Sequence, residues 1–130
     1  MIGLDTTTII DLFKGNPDAK KKLVEQKGPY ASTILNYQEL IFGLNPENPI
    51  HKKEGGFYDE LFDVIRNLGI TKESCKHASK IKWLLKTQGQ ESDRFDSIIA
   101  AIFLTNNITT IITRNEKHFK KIPHLKVITY

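Results

Sequence analysis

The chain has 130 residues, 39% of them hydrophobic and 26% charged, which suits one globular domain over residues 1–130 and leaves no room for a second catalytic domain. Its longest apolar stretches, such as Ser97 to Leu104, fall far short of the roughly 18 to 20 residues of a membrane span, and no basic segment leads into an apolar core at the N-terminus, so the expectation is a cytoplasmic protein with no membrane partner. Cys75 is the only cysteine, which excludes an internal disulfide and a thiolate zinc cluster, while nineteen Lys and Arg against fifteen Asp and Glu give a net charge of +4 that favours a polyanionic partner.

Strand-like and helix-like patterns alternate from the N-terminus onward, the signature of an α/β domain. Met1 to Leu4 reads as a short buried strand ending at Asp5. Thr7 or Thr8 then caps a helix through Ile9, Ile10, Leu12 and Phe13, stopped at Gly15, and a second helix runs from Pro17 to Gln26. Pro29 to Ile34 is the next strand, after which Asn36 caps a helix carrying Glu39, Leu40, Ile41 and Phe42 toward Gly43. Asn45 to Gly56, with Pro46, Pro49 and the Gly55-Gly56 pair, reads as a loop. Phe57 to Asn67 and Lys72 to Gln88, the latter capped by Thr71, fit two longer helices forming a hairpin on the α/β core. Asp96 to Thr105 reads as a largely buried helix, Thr109 to Thr113 as a central strand, His118 to Lys121 as a helical turn and Leu125 to Thr129 as a last strand. Parallel strands joined through helices are the simplest topology.

Four segments set a polar metal-ligand type beside an apolar stretch: Gly3 to Thr7, Asn36 to Leu40, Phe95 to Ala101 and Ile111 to Asn115. Each candidate has an ordinary structural explanation. Asp5 would cap the helix it precedes. Glu39, three residues after Asn36, would be the return half of a capping pair. Asp96, three after Asp93, would sit in the first turn of an apolar helix, where a carboxylate is favoured by unpaired amides and the macrodipole. Asn115 would form an Asx turn, and Thr113 would be a β-branched strand residue. Their conjunction argues otherwise. All four segments fall at the same expected edge of the sheet, and Asp5, Glu39 and Asp96 would repel one another without a cation between them.

In their order and spacing these motifs resemble the PIN-domain family, and within it the VapC-like toxins, over nearly the whole chain. Leu4-Asp5-Thr6 with Ile9-Ile10-Asp11-Leu12 looks like the opening motif, and Glu39-Leu40 with Phe42-Gly43-Leu44 like the second. Gly89 followed by Asp96 and Ile98-Ile99-Ala100-Ala101 resembles the third, and Thr113-Arg114-Asn115 with His118-Phe119 the fourth. The resemblance implies a PIN-like three-layer α/β/α sandwich with a central, mainly parallel sheet and a helical hairpin. It further implies a catalytic set of Asp5, Glu39, Asp96 and Asn115, with Asp5, Glu39 and Asp96 ligating a divalent cation. The chain departs from members that carry aspartate at the fourth position: Asn115 offers one carbonyl oxygen and no charge.

Ligation by oxygen alone points to Mg²⁺ or Mn²⁺, since hard carboxylates suit hard cations and His51, His77, His118 and His124 are dispersed without paired spacing, as surface residues are. The implied activity is a metal-dependent endoribonuclease, a hydrolase in which the cation activates water and polarises the phosphoryl oxygen. Thr113 would orient a carboxylate or water, and Arg114, with Arg94 and Lys117, would meet the RNA. The resemblance also implies a cognate antitoxin and a homodimer. The rival expectation, kept alive by Asn115, is a non-catalytic module that binds RNA or protein through a degenerate acidic site.

Overall fold

The computed structural model describes all residues from Met1 to Tyr130. Five strands, β1 (Ile2–Leu4), β2 (Tyr30–Thr33), β3 (Arg66–Leu68), β4 (Thr110–Ile112) and β5 (Lys126–Ile128), form one sheet in the order β3-β2-β1-β4-β5, and every pairing is parallel. Seven helices connect them: α1 (Thr6–Phe13), α2 (Pro17–Gln26), α3 (Ile34–Phe42), α4 (Pro49–Val64), α5 (Lys72–Thr87), α6 (Arg94–Thr105) and α7 (Glu116–Phe119). The chain builds outward from β1 to β3, then returns to lay β4 on the other side of β1. That reversal opens a crevice at the carboxyl ends of β1 and β4.

Alternation along the strands assigns the two faces. Leu4 and Ile112 join Ile9, Leu40, Tyr58 and Phe62 in a core under α1, α3 and α4. Ala31 and Ile111 face the other way, into a larger core built on Ile81 and Leu85 of α5 and the buried run Ile99 to Phe103 of α6. Each large apolar side chain so buried stabilises the fold by roughly 1.5–3 kcal/mol relative to exposure. The α/β/α sandwich is thus a direct consequence of the two-residue period. Gly3 marks the tightest point: a Cβ there would stand 2.8 Å from the Phe103 ring and 3.0 Å from Ile111. Gly3→Ala is expected to cost about 1–3 kcal/mol, since a fully buried ring has nowhere to go; a melting curve matching the parent's would refute it.

Three expectations are corrected. Residues 49–56 are helical: Asn48 caps α4 by accepting from the Ile50 and His51 amides at 2.9 and 3.4 Å, and Pro49 sits in the first turn, where its missing N–H costs nothing. Gly55 and Gly56 lie inside that helix. Each costs about 1 kcal/mol against alanine, and burial of Tyr58 and Phe62 farther along offsets it. Arg66 and Asn67, expected to end a helix, instead form the edge strand β3 with Leu68. Consequently the helical hairpin is not α4 with α5, which β3 separates; α5 instead packs along α6. The capping expected of Thr71 is present, reciprocated by Ser74 in a capping box.

Candidate metal and nucleic-acid site

Asp5 ends β1 at the mouth of the crevice and is only 4% exposed. It occupies the N-cap position of α1 yet its carboxylate makes no capping hydrogen bond. Its oxygens are held from the sides instead. Thr113, buried at the end of β4, donates its hydroxyl to Asp5 Oδ2 at 2.8 Å, and the Asn36 amide donates Nδ2 to Oδ1 at 3.1 Å. Burial pushes the Asp5 pKa up, and the Thr113 hydroxyl only partly opposes it. The capping role expected as the ordinary alternative is therefore unfilled, and no cation of the protein reaches this carboxylate.

Asn36 is not a cap either. Thr33 caps α3, accepting from the Asn36 amide at 3.1 Å and donating to Asn36 Oδ1 at 2.7 Å, so Asn36 lies inside the helix with its side chain fully buried. Its Nδ2 reaches both Asp5 and Thr6 Oγ1, at 3.1 and 3.0 Å. Sequence reasoning assigned Asn36 to the cap and missed this positioning role. The available signal was the three-residue spacing to Glu39, which puts both side chains on one helix face.

Glu39 stands at the open rim, accepting from Thr6 Oγ1 at 2.7 Å through Oε1 and leaving Oε2 without a partner in the chain. Desolvation raises its pKa, and the neighbouring charges of Asp5, Asp96 and Asp93 add to this. Asp93 caps α6 through the Phe95 and Asp96 amides, which leaves Asp96 in the first turn free to face the pocket. Asp96 Oδ2 pairs with His118 Nδ1 at 2.9 Å, and Oδ1 is free. Desolvation raises the Asp96 pKa, His118 pulls it back, and Asp93 and Asp5 push it up again. His118, expected at the surface without a role, is thus drawn to an acidic side chain, although its own ring stays largely exposed.

The three carboxylates feel one another but do not converge as they stand: no three acidic, histidine or cysteine side chains are close enough to share one ion. Each is instead parked on a hydroxyl, amide or imidazole, as mutually repelling groups would be. The donor chemistry nonetheless fits a hard divalent cation. Glu39 Oε2 and Asp96 Oδ1 are unused, Asp5 Oδ1 accepts a single bond and retains lone-pair capacity, and the outer bonds to Thr6 and His118 lie on the solvent side.

A protein-family comparison matches residues 2–125 to the model described as PIN domain. The chain belongs to the PIN domain family. Solved structures agree with this PIN domain in fold. VapBC-1 from nontypeable Haemophilus influenzae matches at 29% identity and a TM-score of 0.79, covering 99% of this chain and 98% of that one. VapBC2 from Rickettsia felis, bound to a promoter DNA fragment, matches at 20% identity and 0.82, covering 100% and 99%. FitAcB from Neisseria gonorrhoeae matches at 20% and 0.81, covering 98% and 96%; at such identity the likeness of these last two is one of fold. A sequence comparison with curated proteins gave no match.

At the fourth position of this PIN domain, Asn115 stands ahead of α7 with no side-chain capping bond, so its carboxamide is free, while its amide donates to Thr113 Oγ1 at 3.0 Å. Arg114 is placed differently from expectation. Its amide donates to Thr7 Oγ1 at 3.0 Å, but its Nε pairs with Asp11 at 2.9 Å, six residues and about 9 Å along α1 from Asp5. Tyr130 donates to the same Asp11 oxygen at 2.6 Å, and burial together with Asp11 pushes the phenol up to about 12. Asp11 of α1 thus holds both Tyr130 and Arg114, and the Arg114 guanidinium pairs there rather than with the carboxylates of the acidic pocket. The signal for that pairing, Tyr130 and Asp11 brought together by the sheet order, lies 119 residues apart in the chain.

Proposed function

We propose that this PIN domain is a Mg²⁺- or Mn²⁺-dependent endoribonuclease, the toxin of a toxin–antitoxin pair, hydrolysing RNA phosphodiester bonds in the cytoplasm. The supporting observation is Asp5: a buried carboxylate with no cationic partner, braced by Thr113 and Asn36, at the switch point of the sheet and flanked by Glu39 and Asp96. Burying a carboxylate without compensation is costly, and hydrogen bonds from neutral side chains answer only part of that cost. Asp5, Glu39 and Asp96 would hold the cation, with Asn115 lending a carbonyl oxygen. When bound, the ion supplies Lewis acidity and lowers the pKa of water.

The chain's own groups divide the remaining work. Asp5, unable to turn, fixes the direction from which the pocket presents negative charge. Glu39, at the solvent edge with Oε2 unused, would lend that oxygen to the cation and so help orient the attacking water, whose proton passes to solvent. Water as nucleophile, with the bond from phosphorus to the 3′ oxygen breaking, leaves a 3′-hydroxyl and a 5′-phosphate. The toxin assignment draws on the VapBC and toxin–antitoxin complexes whose chains share the fold. A homodimer and an antitoxin are further parts of the proposal, and the exposed Phe42, Ile50 and Val64 supply apolar surface for them to cover.

Incubation with single-stranded RNA is expected to give cleavage that requires Mg²⁺ or Mn²⁺, stops on chelation and leaves 5′-phosphate ends. Intact RNA in the presence of either metal would favour instead a PIN-like module that binds RNA or protein without cutting it.

A further inference from the structure

One helix carries the charge of the whole chain. Lys72, Lys76, Lys80, Lys82 and Lys86 of α5 face a single acid, Glu73, so α5 alone accounts for the net +4, and the other fourteen cations balance the other fourteen anions. None of these lysines is ion-paired, since the chain's salt bridges are Lys22 with Glu25, Arg114 with Asp11 and His118 with Asp96. A polar helix face that merely keeps a protein soluble mixes both signs. This one does not.

The charge borders a groove. Ser79, Lys82 and Trp83 line one wall and Arg94, Ser97 and Ile98 of α6 the other, enclosing about 420 Å³. Past Lys82 the groove continues beside Lys86, where Glu91 is the one acid among its lining residues. Trp83, the chain's only tryptophan, is 56% exposed, and Lys86 Nζ stands 4.7 Å from its ring centroid. A large ring left in water beside cations is what a stacking platform for an unpaired base requires. Lysines alone would serve an acidic peptide; the half-exposed indole, with Lys86 over its ring, is the addition that favours a nucleobase. The groove also shares the first turn of α6 with the acidic pocket. Arg94 and Ser97 enter the groove, and Asp96 between them is electrostatically coupled to Asp5.

We propose that the α5–α6 groove is a track for single-stranded RNA, in which Trp83 stacks on an unpaired base and Lys82, Lys86 and Arg94 hold the phosphates of a strand leading to the carboxylates. This extends the ribonuclease reading, on which it rests, by saying where the uncut strand lies.

The test is a titration of the intact protein with a short oligouridylate in EDTA, followed by Trp83 fluorescence, with variant affinities read from the anisotropy of labelled oligonucleotide. Quenching is expected. W83A should weaken binding at least about 5-fold, the lower end of a lost stacking contact. The K82A/K86A pair should weaken it further and flatten the slope of log affinity against log salt by about 1.4. All three side chains are exposed, so the variants keep the core. Unquenched Trp83, unchanged affinity in both variants, or tighter binding of an acidic peptide lost in the same variants would overturn the track. Because no metal is present, the titration is blind to hydrolysis. A chain that binds oligouridylate through Trp83 but never cuts would reject the ribonuclease reading and leave the track; an active enzyme whose KM neither variant moves would do the reverse.

Discussion

Asp5→Asn is expected to lower RNA hydrolysis by about 100-fold or more and, in the absence of metal, to raise the melting temperature by a few degrees at neutral pH. The two effects have one origin. The native carboxylate is buried, its pKa is raised by desolvation, and the side chains on it are the neutral donors Thr113, Asn36 and, at 3.4 Å, Thr7. A group whose folded pKa lies above its unfolded one destabilises the native state once it ionises. Asparagine keeps the shape and removes the charge. Its carbonyl still accepts from Asn36, and the Thr113 hydroxyl, already within 3.3 Å of Thr7 Oγ1, can turn to donate to Thr7 and accept the new amide hydrogen, at the loss of the long 3.4 Å bond that Thr7 gives the native carboxylate. What is lost is the anionic oxygen a divalent cation needs, and disturbing even the groups outside a metal's ligands typically costs 10–100-fold. Calorimetric metal titration, cleavage assays and thermal melts of the two proteins decide the matter. Wild-type cleavage by the variant would remove Asp5 from the chemistry, and a lower melting temperature would show that the charge is stabilised by something other than a missing cation.

Much of this arrangement is legible in the chain itself, for a physical reason. Asp5 and Thr113 come directly after short strands, Glu39 in the helix that follows another, and parallel strands deliver the residues at their carboxyl ends to one edge of the sheet. The order of elements thus brings together Asp5 and Thr113, which are 108 residues apart. Local chemistry was equally readable at Thr71, whose expected cap is present. The misreadings occur where tertiary contacts outweigh local preference. Gly55 and Gly56 read as loop because their helix propensity is poor, yet Asn48, Pro49 and the burial of Tyr58 and Phe62 carry the helix through them. Arg66 to Leu68 has no apolar alternation of its own and becomes a strand by pairing with Ala31 to Thr33. Asn36, His118 and Asp11 act through partners 31, 22 and 103 residues away, and no spacing rule reaches so far.

A second large effect is expected from pH. Asp5, Glu39 and Asp96 all have pKa values raised from ordinary values of 3.8, 4.5 and 3.8, each chiefly by desolvation. Between those ordinary values and the raised ones the native state binds more protons than the unfolded chain. The stability contributed by these groups is therefore greatest toward the acid end and is lost as pH rises through the folded values. The metal-free protein should accordingly melt higher near about pH 5 than near about pH 8, the reverse of a protein whose carboxylates are held by salt bridges. Mg²⁺ or Mn²⁺ at the higher pH should restore the loss, since a ligand at about 100 times its Kd stabilises by about 2.7 kcal/mol. Sodium chloride at matched ionic strength should not, because screening acts weakly on a buried charge. Asp5→Asn should flatten both the pH slope and the response to metal. If the parent's melting temperature does not fall with pH, and neither metal moves it, then the hydroxyls and amides around the three carboxylates already satisfy them, and the pocket is not held in readiness for a cation.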